Sequence, residues 1–189
     1  MKDPRKQQLS YFNLKLQFTL AKVLLDNLKD LDFHKYNGQI VFDLSSAVQK
    51  KIIDTIYKLA IEYGVSVELN SEFINTNYNR FIVCRSTLKF TKNDQVIIYS
   101  GIGEADISQN KDRPHEYAVM RSIQKLINNV GGDFYMKTIK FIRNFLNKYY
   151  VPKPSYTTTQ NVQEAIHIFS EYVYPKVKEK MKKVEEKYF

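Results

Sequence analysis

Cysteine is nearly absent from this chain: Cys84 is the only one in 189 residues. A lone thiol cannot close an internal disulfide, so a reducing, intracellular setting is expected, whether cytoplasm, nucleoid or the host cytoplasm of a virus. No stretch approaches about 18 uninterrupted apolar residues, so no transmembrane helix and no membrane partner are expected. The basic N-terminus, residues 1–6, is not followed by the apolar run of about 7–15 residues that a signal peptide needs. Secreted, membrane-spanning and disulfide-scaffold classes are thereby set aside. Histidine is also scarce: His34, His115 and His167 are scattered, and with one cysteine they predict no zinc site. His115-Glu116 is not a zincin motif, because position 119 is valine. No G-x-x-x-x-G-K-[ST] occurs, which excludes a P-loop nucleotidase. Gly101-Ile102-Gly103 lacks the third glycine of a dinucleotide fingerprint. It is read as two small residues where a sheet edge bends or another backbone approaches. Cys84 itself, mid-strand on an apolar face, reads as a packed thiol rather than a nucleophile. No cofactor and no metal are expected.

What the chain does have is positive charge. Lys and Arg number 29 against 20 Asp and Glu, a net charge of +9 and a pI of about 9.4. Such a balance suits a polyanion, most simply nucleic acid, and equally a solubilising surface. The hydrophobic content of 43% supports a folded globule. The 14 Tyr and 12 Phe accompany abundant Lys, Asn and Ile, as in an A/T-rich coding sequence, so they are not in themselves evidence for base stacking. The length suits one domain with an appended arm: a core over 1–151 with an N-terminal helix, then a linker and charged C-terminal helix over 152–189.

Hydrophobic spacing orders the elements. Leu14, Phe18, Ala21, Leu25 and Leu28 predict a helix over 9–31. Asn37-Gly38 marks a turn, and 39–44 a short strand. Ser46 to Gln49 reads as a capping box for a helix over 46–63, closed by Gly64. Alternation then gives a strand over 65–69, followed by a polar stretch with four asparagines up to Asn79. A long strand over 81–90, a turn at 91–94 and a return strand over 95–105 complete a three-stranded antiparallel meander. Pro114 opens a helix that ends at Gly131-Gly132. A second helix spans 133–149, Pro152 and Pro154 form a linker, and a last helix over 159–189 is kinked at Pro175. The fold class is α+β.

Arg80, Arg85, Lys89 and Lys92 lie on or beside the central hairpin. Arg85 and Lys89 share a strand face with Phe81, a pattern that can track phosphates and stack a base. The same face also reads as the solvated side of a one-sided sheet. Arg121 and Lys125, four apart, share a face of the following helix, and Arg113 lies just before it. Tyr99 is a second stacking candidate. Glu104, Asp106, Asp112 and Glu116 cluster around the strand-to-helix connection. They could hold Mg²⁺ for a nuclease using Glu104, Asp106 and Glu116, but acids at a helix start are read first as dipole compensation. Residues 137–189 hold eleven Lys and Arg against five Asp and Glu, a surplus of six. That surplus suits a second binding surface, a soluble helical arm, or the docking element of a non-catalytic scaffold.

The order of these features resembles a known family. The strand 81–90, the segment Tyr99-Ser100-Gly101-Ile102-Gly103-Glu104-Ala105-Asp106 and the helix 114–131 look like the hairpin, G-x-G-E-A and helix of single-strand annealing proteins. These are the phage Erf and RecT type recombinases and their eukaryotic Rad-fifty-two relatives. Ala118, Arg121 and Lys125 echo the family's helix pattern. Ser122 stands where the family often has Ala, Lys125 where it has Arg, and no Thr precedes Arg121. The resemblance covers about residues 40–132 and implies a β-β-β-α core flanked by helices. It implies ATP-independent binding of single-stranded DNA, with RNA left open, and pairing of complementary strands in recombination or replication. It also implies assembly into homo-oligomeric rings or filaments and no bond-breaking chemistry. Arg85, Lys89 and Lys92, extended by Arg121 and Lys125 and flanked by Arg80 and Arg113, would be the phosphate contacts. Phe81 or Tyr99 would be the stacking platform.

Overall fold

The computed structural model describes residues 3–75, 80–150, 153 and 155–189. The end of the asparagine-rich stretch (76–79) and the expected linker prolines, Pro152 and Pro154, lie outside the described residues.

Helix α1 (Leu9–Asp26) runs through the centre of the core. Leu9, Phe12, Leu16, Leu20 and Leu24, spaced by three or four, are essentially fully buried. Each contributes about 1.5–3 kcal/mol of burial. The helix stops five residues earlier than its periodicity suggests. Asn27 and a 3₁₀ turn (Leu28–Asp30) lead into strand β1 (Asp32–Tyr36), which the sequence pattern did not reveal. All but one residue of β1 is exposed, so the alternation that marks a half-buried strand is missing. A tight turn joins it to β2 (Gln39–Asp43), with Asn37 (φ 49°) and Gly38 (φ 76°) both in the left-handed region that such hairpins need.

Helix α2 (Ser46–Glu62) starts one position earlier than the expected capping box. Ser45, not Ser46, is the cap, its hydroxyl accepting from Val48 N at 3.3 Å. Gln49 does not reach back to the cap. It is buried, and its amide donates to the Met120 carbonyl at 2.9 Å. The helix ends in a Schellman arrangement, with Gly64 at φ 64° and Val65 N donating to Ala60 O at 2.8 Å.

The second sheet is the meander β3 (Ser66–Ile74), β4 (Phe81–Lys92) and β5 (Gln95–Asp106), antiparallel throughout. Strand β3 runs five residues beyond its expected end. On β4, Cys84, Ser86, Leu88 and Phe90 face the core, while Arg85 and Lys89 point outward. Helix α3 (Pro114–Tyr149) packs across β4 and β5. It is broken at Gly132, whose φ of 62° no helix accommodates.

The helix approaches β5 more closely than any side chain would allow. A Cβ at Gly101 would lie 2.3 Å from Leu126 N, and one at Gly103 would lie 2.2 Å from Ser122 N. This close approach of a second backbone is the expectation that the G-x-G spacing raised. Opposite these glycines lie Ser86 and Cys84. The Ser122 hydroxyl lies 2.7 Å from that of Ser86, which lies 2.8 Å from that of Ser71. Cys84, Ala105 and Ala118 complete a small-residue seam.

Helix α4 (Thr158–Ile168) begins with a complete capping box between Thr157 and Gln160. A π-type turn (Phe169–Val173) directly precedes α5 (Tyr174–Tyr188), so the regular α-helical ladder is interrupted just before Pro175, which has no N–H to continue it. The segment folds back onto α1. Glu185 takes Lys15 at 2.7 Å and Lys22 at 3.0 Å, and the Phe189 ring meets those of Tyr11 and Phe18. Val162, Ile166, Phe169 and Met181 join the same core as α1. Among the described residues, no helix is long and apolar enough to cross a membrane.

Candidate nucleic-acid interface

The outward face of the meander carries the hairpin cations, and the register sets a carboxylate against each. Arg85 lies opposite Glu72, with Nη1 to Oε1 at 3.6 Å. Lys89 lies opposite Glu68. Arg80 reaches Asp106 at 2.7 Å from Nη2 and 2.9 Å from Nε. Hydrogen bonds from Arg80 and Ser108 hold the Asp106 carboxyl far below the usual carboxylate range. Glu104 adds a further negative charge on the same face. The sheet face therefore sets four carboxylates against three cations, a net charge of −1, and the exposed Arg85–Glu72 pair is individually weak.

Two sequence candidates are placed elsewhere. Lys92 does not point to solvent at the hairpin tip. Its Nζ donates to the Tyr63 carbonyl and, at 3.0 Å, to the Lys6 carbonyl. It thus caps the negative end of α2 and holds the N-terminal segment to it. Tyr99 pairs with Leu88 and so lies on the core side. Its ring meets Phe90 edge-on, and its hydroxyl donates to Asn13 Oδ1 at 2.7 Å. Neither is free to contact a strand of nucleic acid. Phe81 does lie on the outward face, half-buried, with the Arg80 guanidinium 5.6 Å from its ring centre.

The helix cations fare differently. Arg121, Lys125 and Asn129 recur every four residues along α3 and form an exposed row bordering the free edge of β5. Arg121 Nη1 donates to the Glu104 carbonyl at 2.8 Å, and Asn129 Nδ2 to the Ser100 carbonyl at 2.6 Å. Neither acceptor carries a formal charge, so the guanidinium keeps its positive field. Lys125, one turn from each, has no ion-pair or hydrogen-bond partner among the described residues. Beside this row, β5 exposes Val96, Ile98 and Ile102 on its outward face, Ile98 at 60%. Arg113, just before α3, is 3.7 Å from Glu116 in its first turn. Row and ledge together offer cations along one side of an apolar strip.

The carboxylates do not assemble a metal centre. Among the described residues, no group of three or more His, Cys, Asp or Glu side chains is placed to hold an ion. Asp106 is engaged by Arg80 and Ser108, and Glu116 by Arg113.

One cationic site escaped the sequence reading. Lys137, Lys140 and Arg143, on the second arm of α3, line a groove of about 500 Å³ against Gln39 of β2. Their three-residue spacing was the available signal. Strand β2 is held there by α3 itself. Asn147 accepts from Ile40 N at 2.7 Å and donates to Ile40 O at 3.0 Å, standing in for a neighbouring strand. Gln124 adds a further hold, accepting from Leu44 N at 2.8 Å and donating to the Asp43 side chain, Oδ1, at 2.7 Å.

No protein-family model, no curated protein and no solved structure matches this chain.

Proposed function

We propose that this protein binds single-stranded nucleic acid along the β5 edge and pairs complementary strands without ATP. The observation that carries the reading is the row Arg121, Lys125 and Asn129 beside the exposed Val96, Ile98 and Ile102. Phosphates would follow the row, and bases would rest on the apolar ledge. The β-β-β-α order with its G-x-G-E-A segment adds the family resemblance, and self-assembly into rings or filaments belongs to the same proposal. Strand pairing needs neutralised phosphates and bases left free to exchange. A weak apolar ledge meets the second need better than deep base pockets would. Lys89 and Arg85 would be peripheral in this scheme, because Glu68 and Glu72 oppose them.

Fluorescence anisotropy with a labelled oligonucleotide tests it. Binding is expected at about 50 mM salt, weakening as salt rises. Replacing Arg121 and Lys125 together with Gln should make the log–log salt slope shallower by about 1.4, from about 0.7 per phosphate contact. A wild-type protein that binds no single strand at low salt overturns the reading.

A further inference from the structure

We propose that the groove between the second arm of α3 and the edge of β2 is a second, separate phosphate-binding path that holds another nucleic-acid strand. The proposal rests on the reading of the β5 edge as the first path.

Three observations carry it. Lys137, Lys140 and Arg143 lie within two turns of helix and line one groove, with Asp133 as the only acid in its wall. None of the three cations makes an ion pair or a side-chain hydrogen bond among the described residues. Arg143 is the most telling, because it is half-buried and none of its five N–H donors is engaged by a described residue. Such a fork suits bidentate contact with phosphate oxygens. The remaining lining is also suited to a backbone: Asn144 and Gln39 offer amide donors, and Met136 and Ile139 an apolar floor. Tyr36, the cross-strand partner of Gln39, is 66% exposed at the groove's hairpin side and offers a face for a base.

The groove is distinct from the β5 edge. The row Arg121 to Asn129 precedes the break at Gly132 and borders β5, whereas Lys137 to Arg143 follow the break and border β2. Annealing brings two polyanions together, and two separate cationic tracks on one chain would let each strand be held while the other is sampled. The track also gives a specific task to part of the positive surplus after residue 137.

A two-strand capture assay tests this. Full-length protein is bound to immobilised oligo(dT) of about 30 nucleotides, and retention of a labelled oligo(dT) of the same length is measured. The strands cannot pair, so retention requires a second protein site, and a triple variant of the groove tells it from the β5 edge of another copy in an oligomer. The wild type is expected to retain the labelled strand at about 50 mM salt. The triple variant Lys137→Gln, Lys140→Gln, Arg143→Gln should stay on the immobilised strand yet lose capture at least tenfold, roughly the effect of three lost phosphate contacts. Wild-type protein that binds the first strand and captures no second one overturns the proposal, as does a triple variant that captures like the wild type. A folded triple variant that binds neither strand also overturns it, because the groove would then be the primary path. Failure of the wild type to bind the first strand refutes the β5-edge reading instead.

Discussion

Replacing Gly103 with alanine puts one methyl group where α3 leaves no room. The new Cβ would lie 2.2 Å from Ser122 N, 2.5 Å from Ala118 O and 2.6 Å from Arg121 C. Ordinary carbon contacts lie near 3.5–4.0 Å, so the helix must retreat by about 1 Å or more. All three atoms are backbone, so no rotamer change relieves the clash. Overpacking of this kind costs about 1–3 kcal/mol. Retreat also stretches the 2.7 Å contact between Ser86 and Ser122, whose side chains are fully buried, and an unmade buried hydrogen bond adds about 1–3 kcal/mol. The stiffer unfolded chain returns about 0.4–1 kcal/mol. The net loss is about 3 kcal/mol, a large part of an ordinary domain's stability. Urea unfolding should show it as a lower midpoint with an unchanged m-value. Gly38→Ala is the control. Nothing lies within 4 Å there, so only the positive φ is penalised, by about 1–2 kcal/mol. Adding Ser122→Gly to Gly103→Ala should not restore stability, because it removes no atom that the methyl group strikes. A Gly103→Ala protein within about 0.5 kcal/mol of wild type would refute the close-approach account.

Lys92→Met keeps the apolar stem and removes the cation that caps α2. It should lower stability by about 1 kcal/mol in urea unfolding while leaving the salt slope of oligonucleotide binding unchanged. A slope shallower by about 0.7 would instead make Lys92 a phosphate contact. Lys15, then Lys22, hold the Glu185 carboxyl below its ordinary range, so its contribution is present above the unfolded value near 4.3 and fades as pH falls through the lower folded value. Glu185→Gln should therefore lose about 1 kcal/mol at pH 7, a modest figure because the side chain is one-third exposed, and its deficit against wild type should shrink in melts at progressively more acidic pH. Asn147→Ala strips both partners from the edge of β2 at Ile40. Amide exchange across 39–43 should speed up, with a global loss of about 2 kcal/mol in urea unfolding, and unchanged exchange there would contradict the clamp.

The alternation on β4 identified which residues of that strand face the core, and the G-x-G spacing identified where a backbone comes close. Both are local patterns tied to one element's geometry. The charge balance of the sheet face was not legible, because the carboxylate that opposes Arg85 is Glu72, beyond the point where β3 was expected to stop. Strand β3 continues through Asn70 to Ile74 because β4 offers it a full ladder, a tertiary cause that polar residues do not advertise. Tyr99 was misplaced for a related reason. Its face depends on which residue of β4 it pairs with, and register is set by the turn at Asn93-Asp94. Lys92 and Gln49 found partners 29 and 71 positions away in the chain, and a one-dimensional pattern carries no trace of either. The groove at Lys137, Lys140 and Arg143 forms between the second arm of α3 and the edge of β2, which Asn147 holds alongside from 107 positions away in the chain.

Strand pairing itself is the most direct test. Complementary oligonucleotides carrying a donor and an acceptor dye are mixed with the protein in the absence of ATP and at low salt, and energy transfer is followed with time. The account predicts pairing at least about tenfold faster than without protein, from the raised effective concentration of strands held on one surface. It also predicts that the gain disappears in the Arg121→Gln, Lys125→Gln protein. Protein that binds both strands yet leaves pairing at its protein-free rate would contradict the account.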